Sequence, residues 1–226
     1  MVFNIYYSRI IVKVYDQFIL TPNDCHINIF MSILDEAHDW QSLRDDNFKK
    51  FYELMPLYVA EYKKQNLPNY IYLGNFVPEE GLFPLPTNIE HGLGDPVDGT
   101  QDMKVGLYDN NTPQCAWLRE VHNLKYVHAK YHIQPVKMLI QNHFDHNGSF
   151  TRKQYEERGV SFNSNELKKI LHFLSDWKIG QAIMLGDQCY SGWKKGDAIS
   201  FPWFMEHATV NANYEHERHL LFITGV

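Results

Sequence analysis

The stretch "WKKGDAISFPWFMEHATVNANYEHERHLLFITG", residues 193–225, decides the fold. It holds three runs, "DAISFPW", "HATVNA" and "RHLLFITG", each rich in β-branched and aromatic residues and each too short for a helix. Turns separate them, the first built on Trp193, Gly196 and Asp197. Working back from there, "KYVHAKYHIQ", "VKMLIQNH", "LKKILHFLSDW", "QAIMLG" and "QCYSGW" repeat the pattern as far as residue 125. Eight short strands broken by turn residues predict an antiparallel sandwich or barrel.

The part before it is different. Residues 1–75 read as mixed α and β, with a strand in "MVFNIYYSRIIVKVYDQ". In "DDNFKKFYELMPLYVAEYKKQ", Phe48, Phe51, Tyr52, Met55, Val59 and Tyr62 recur at spacings of three and four. That is an amphipathic helix capped by Asp45 or Asp46, with its aromatic stripe turned to the core. Residues 76–113 carry Pro78, Pro84, Pro86, Pro96 and Pro113, with Gly81, Gly92, Gly94 and Gly99, and read as one long loop, either a lid or a wrap around the barrel. "TPQCAWLREVHNL" then predicts a short helix. Neither an internal repeat nor a low-complexity tract interrupts the chain, and a single domain over 1–226 is expected, with 1–120 forming an α/β portion and 121–226 the β core.

The totals bound the function. A formal charge of −6, without a basic stripe, argues against a nucleic-acid partner, because a phosphate backbone is held by clustered lysine and arginine. No apolar run approaches the ~18 residues of a membrane span, and the N-terminus lacks the apolar core of a signal peptide. The cysteines, Cys25, Cys115 and Cys189, are scattered and odd in number, which suits a reduced, cytoplasmic setting. The expectation is a protein without membrane or nucleic-acid partners that acts on a small molecule or peptide; the sequence leaves its oligomeric state open.

Chemistry enters at "IQNHFDHNGSF", residues 140–150, where a strand runs into His143, Asp145 and His146. An H-x-D triplet alone is weak. On extended backbone, however, residues two apart project to one side, so His143 and Asp145 can share a cavity. Further on, His207 opens one strand and Arg218 the next. A buried arginine calls for an anion, since an unpaired guanidinium in a core is costly. Two imidazoles and one carboxylate can hold Fe(II) on one face of an octahedron and leave three positions open. Arginine's planar fork suits a carboxylate held bidentately.

This order and spacing, H-x-D, then His207, then Arg218, resembles the Fe(II)- and 2-oxoglutarate-dependent oxygenases, and residues 193–225 look like part of their final four-strand stretch. The resemblance covers roughly residues 120–226. It implies a mostly β fold, a double-stranded β-helix of the cupin-like jelly-roll type with the N-terminal α/β portion packed on it. It implies that His143, Asp145 and His207 ligate iron, and that Arg218 binds the far carboxylate of 2-oxoglutarate. The activity implied is that of a dioxygenase which consumes O2 and 2-oxoglutarate, releases succinate and CO2, and hydroxylates a C–H bond of a small molecule, amino acid or peptidyl side chain. Position suggests three further contacts: Gln134 before Pro135, Asn211 at the parity of His207 and Thr209, and Tyr131.

The remaining histidines have plainer readings. His146 is the rival to His143. His128 and His132 share a strand face without a third ligand and read as structural or surface residues. His172, between Leu171 and Phe173, reads as packing, and His216 and His219 as turn or outward residues. Two other functions share the barrel: a metal-dependent cupin that does not use 2-oxoglutarate, which would have no need of Arg218, and a non-catalytic ligand-binding cupin barrel.

Overall fold

The computed structural model describes residues 56, 59–60, 62–90, 95–96, 103–143, 159 and 167–226. The strands are β1 (Ile71–Asn75), β2 (Ile89–Glu90), β3 (Asp95–Pro96), β4 (Met103–Tyr108), β5 (Val127–Gln134), β6 (Met138–His143), β7 (Lys168–Phe173), β8 (Gln181–Leu185), β9 (Gln188–Tyr190), β10 (Asp197–Pro202), β11 (His207–Asn211) and β12 (Arg218–Gly225). A helix, α1 (Pro113–His122), lies directly before β5. The N-terminal strand and the start of the amphipathic helix lie outside the described residues; residues 62–64 are helical, as the periodicity predicts.

The strands form two antiparallel sheets, one of seven strands in the order β1-β10-β7-β12-β5-β4-β2 and one of five in the order β3-β6-β11-β8-β9. From β5 to β12 the chain crosses repeatedly from one sheet to the other, so that β10, β7, β12 and β5 face β6, β11, β8 and β9. That is the double-stranded β-helix. All eight strands read from the sequence are present, each within a few residues of its expected ends.

The loop expectation for residues 76–113 needs correcting. β4 lies within that span and pairs with β5 along Lys104↔Ile133 to Tyr108↔Ala129. Its signal is an alternation of only two buried residues, Met103 and Val105, which the surrounding prolines and glycines mask. Gly106 suits the middle of this strand because a Cβ there would meet Pro86 Cβ at 3.3 Å and Tyr131 Cβ at 3.6 Å.

α1 starts where the Thr112 hydroxyl accepts from the Cys115 amide (3.3 Å), and Pro113 occupies the first turn, where its missing N–H costs nothing. It stops at Asn123, which takes the left-handed conformation at φ 50°. Cys115, Leu118 and His122 form its buried stripe. That stripe covers the outer face of the seven-stranded sheet, where Val127, Ala129, Tyr131 and Ile133 of β5 meet Leu221 and Ile223 of β12. The turn before β10 is fixed by Asp197, whose carboxylate accepts from the Lys194 amide (2.8 Å), and by Gly196 at φ 92°. Trp193 lies beneath it, stacked on Phe173 at 4.2 Å.

Between α1 and the sheet sits a histidine pair. His172 Nε2 donates to the Phe76 carbonyl (2.7 Å), which leaves Nδ1 to accept from His122 Nε2 (3.2 Å). Both rings are therefore neutral. Burial pushes His122 down to about 3, helped by the proximity of His172, and pushes His172 down to about 4. Because the folded values lie below the unfolded value near 6.5, this stability is complete above pH ~6.5 and falls as the pH drops towards 4. At roughly 1.4 kcal/mol per pH unit for each ring, the pair should cost about 4 kcal/mol of stability by pH 5. Urea midpoints at pH 7.5 and 5.0 test this; a His172→Gln variant with the same acid loss as the parent would refute it.

Candidate metal and co-substrate site

The inner faces of the two sheets carry the polar residues. On β5 the exposure alternates: Val127, Ala129, Tyr131 and Ile133 are buried under α1, whereas His128, Lys130 and His132, facing the other sheet, are only half-buried. A face that looks into the barrel yet keeps some exposure lines a cavity. Register extends the same face across β12: Gln134 pairs with Arg218, His132 with Leu220, Lys130 with Phe222 and His128 with Thr224. On the opposite sheet, Gln181, Ile183 and Leu185 of β8 pair with Asn211, Thr209 and His207 of β11 and share its inner face.

His207 is buried at 4% exposure. Its Nδ1 lies 3.0 Å from the Met205 carbonyl, which makes Nδ1 the protonated nitrogen and leaves the lone pair on Nε2. That tautomer is the one a ligating imidazole needs, with its other nitrogen donating to a backbone carbonyl. Phe222 stacks on the ring at 5.9 Å and 29°, and Phe201 tilts against it at 5.5 Å.

His143 is the register partner of His207. The next pair is Ile140 with Thr209, so three residues of β6 span two of β11. This bulge sets the register. Without it His143, three residues from Ile140, would fall out of step with His207. Asp145 and the rival His146 lie outside the described residues, and no group of three metal-binding side chains forms among the described residues.

Arg218 is 2% exposed. Its Nη1 donates to the Ala182 carbonyl of the facing sheet (3.2 Å), and its Nε has no hydrogen-bond partner. Desolvation alone pushes the guanidinium down to about 9; no carboxylate among the described residues offsets it. Four strand positions, about 13 Å at ~3.3 Å per residue, separate Arg218 from Phe222 at the His207 level. Arg218 thus lies on the inner face, on the same strand as Phe222, whose ring stacks on His207.

The three further contacts read from the sequence fare differently. Gln134 is on the inner face beside Arg218, but its amide is committed: Nε2 donates to the Met138 carbonyl (3.1 Å) and Oε1 accepts from Thr209 (3.3 Å). Asn211 also faces inward, and its Nδ2 lies within 3.2 Å of the carbonyls of Gln134, Pro135 and His216. It clasps the turn after β5 to the turn before β12. Asn213 shapes that second turn, accepting from the Glu215 and His216 amides at 2.8 Å each. Tyr131 is on the wrong face. It pairs with Leu221 under α1 and bonds through its hydroxyl to His219 Nδ1 at 2.9 Å, because residues three apart on a regular strand project to opposite sides. Burial pushes its phenol up to about 12.

His128 and His132, read as structural or surface residues, line the inner face instead. Lys169 is also fully buried there, with its ammonium 5.0 Å over the Phe222 ring. Stepping by two from Arg218 and from Gln134 would have found Phe222, Thr224, His128 and His132 in the sequence.

The sequence matches no protein-family model and no curated protein. Among solved structures it is similar to a prolyl hydroxylase from Trichoplax adhaerens in complex with a hypoxia inducible factor oxygen degradation domain peptide fragment, at TM-score 0.41 and 11% identity over 84% of this chain and 94% of that one. An oxidoreductase of the 2OG-Fe(II) oxygenase family from Burkholderia pseudomallei gives TM-score 0.40 and 14% identity, covering 76% and 90%. The Cnp3 cupin domain of Schizosaccharomyces pombe gives 0.34 and 7%, covering 72% and 88%. At such scores the residues of this chain must carry the argument. No helix among the described residues is long and apolar enough to cross a membrane.

Proposed function

We propose that this protein is an Fe(II)- and 2-oxoglutarate-dependent dioxygenase that hydroxylates a C–H bond of a small molecule, an amino acid or a peptidyl side chain. One observation carries the reading. Arg218 is buried on the inner face of the barrel, with Nε unpartnered and no carboxylate neighbour among the described residues. A metal-only cupin has no use for that cation, whereas a co-substrate carboxylate satisfies it.

His143, Asp145 and His207 would hold the metal, and Arg218 the far carboxylate of 2-oxoglutarate. Iron bound there would activate O2, one oxygen atom going to the C–H bond and the other to 2-oxoglutarate, which leaves as succinate and CO2. The chain's own part is placement. The Met205 carbonyl fixes the His207 tautomer, and Asn211 fastens the two turns that set the height of Arg218. Gln134 and Thr209 close a polar link between the sheets beside it. A carboxylate at position 145 fills the third ligand place, so the expected outcome is hydroxylation or desaturation, not halogenation.

The test is release of CO2 from 2-oxoglutarate by the iron-loaded protein under air. Turnover without added substrate, even a slow one, is the expected result. Iron binding without decarboxylation would favour the cupin that does not use 2-oxoglutarate, and absence of both would favour a non-catalytic barrel.

A further inference from the structure

We infer that Phe222 is the positioning residue for His207, holding the imidazole so that Nε2 faces the metal place. The inference rests on the proposed metal site and extends it to a residue with no ligating atom.

An imidazole on a strand has two torsions to fix. The bond from Nδ1 to the Met205 carbonyl restrains one direction but does not by itself fix the plane of the ring about that bond. The plane is set by packing. Phe222 lies nearly parallel to His207, at 5.9 Å and 29°, and Phe201 meets it at 60° from 5.5 Å. Phe222 is in turn held from other directions. His132 stacks on it at 6.1 Å and 17°, Phe201 meets it edge-on at 6.2 Å, and the Lys169 ammonium stands 5.0 Å from its ring centre. A ring restrained by three neighbours can restrain a fourth.

Exposure separates this role from ordinary packing. The β12 neighbours Leu220, Leu221 and Ile223 are fully buried, whereas Phe222, in the same central strand, is only half-buried. Its ring packs against the cluster of Leu171, Phe201 and Leu220 while keeping part of its surface open. Groups that orient a metal ligand typically shift metal affinity 10- to 100-fold when removed.

The experiment compares Phe222→Leu, Phe222→Tyr and Leu221→Val with the parent. Phe222→Leu keeps most of the volume and loses the flat face; Phe222→Tyr keeps the face; Leu221→Val disturbs the same strand on its α1 side. Mn(II) affinity is measured by calorimetry. The His207 ring is observed in the metal-free protein by its nitrogen and proton NMR signals. The expected result is a Mn(II) affinity about tenfold weaker in Phe222→Leu, near the parent value in Phe222→Tyr, and unchanged in Leu221→Val despite a lower melting temperature. The metal-free His207 ring should move from a single Nδ1–H tautomer in the parent to an averaged one in Phe222→Leu. Parent-like Mn(II) affinity in Phe222→Leu, or an equal loss in Leu221→Val, overturns the inference. If the parent binds no Mn(II), the metal site itself fails. The NMR signals then decide the remainder: an unaltered His207 ring in Phe222→Leu rules out positioning, and an altered one upholds it.

Discussion

Arg218→Leu is expected to melt no lower than the parent when free of ligand, yet to bind 2-oxoglutarate roughly two to four orders of magnitude more weakly, the equivalent of the ~3–5 kcal/mol lost when one partner of a buried charge pair is removed. The two halves of this result have one cause. In the ligand-free protein the guanidinium is desolvated, pushed down to about 9, and repaid by a single bond to the Ala182 carbonyl. Leucine removes that desolvation cost and fills the site with apolar volume. When the co-substrate is present, the same substitution leaves its far carboxylate buried without a partner. Arg218→Lys should lose less, since it keeps the charge and gives up the fork. Titration of 2-oxoglutarate into iron-loaded, oxygen-free protein reads the affinity through the visible charge-transfer band, and thermal melts read the fold. Parent-like affinity in Arg218→Leu would make the co-substrate assignment wrong and the metal-only cupin the better account.

The strands were legible because the signal that forms them is local. In "VHAKYHIQ" every second residue is buried under α1, and the period of two follows directly from strand geometry. β4 was hidden because its pairing with β5 is a long-range event, and only Met103 and Val105 mark it among prolines and glycines. The same rule of alternation, applied strictly, separates the true inner-face residues from Tyr131. Gln134 and Tyr131 are three apart, so a regular strand cannot bring both to one cavity. Here the structure corrects a reading that the sequence alone could have refused.

Two features lay beyond such reading. The bulge in β6 depends on how that strand meets β11, and no residue type in "MLIQNH" announces it. Asn211 was found by parity, but its work was not. A side-chain amide pointed into a barrel looks like a ligand contact until the turns after β5 and before β12 are seen to converge on it. Buried polar groups in this site are mostly spoken for by backbone carbonyls, as the cost of leaving them unpaired demands. Against that background the unpartnered Nε of Arg218 points to a ligand.

The metal assignment makes the second large prediction. His207→Ala and His143→Ala should each abolish stoichiometric Fe(II) binding, whereas His146→Ala should leave it nearly intact. His143 and His207 are register partners on adjacent strands, and in an antiparallel pair such positions lie only ~4.5–5.5 Å apart on one face, close enough for two imidazoles to meet one ion. His146 is three residues further along the sequence and lies outside the described residues. His207 also arrives with its tautomer already chosen by the Met205 carbonyl, so binding need not reorganise it. A histidine lost from a three-ligand set leaves a two-ligand site, and affinity should fall by well over ~100-fold, the upper end of what loss of a supporting contact alone produces. Elemental analysis of anaerobically loaded, desalted protein is the measurement. Iron retained in His143→Ala but lost in His146→Ala would transfer the ligand role to His146, and with it the bulge in β6 would lose its purpose.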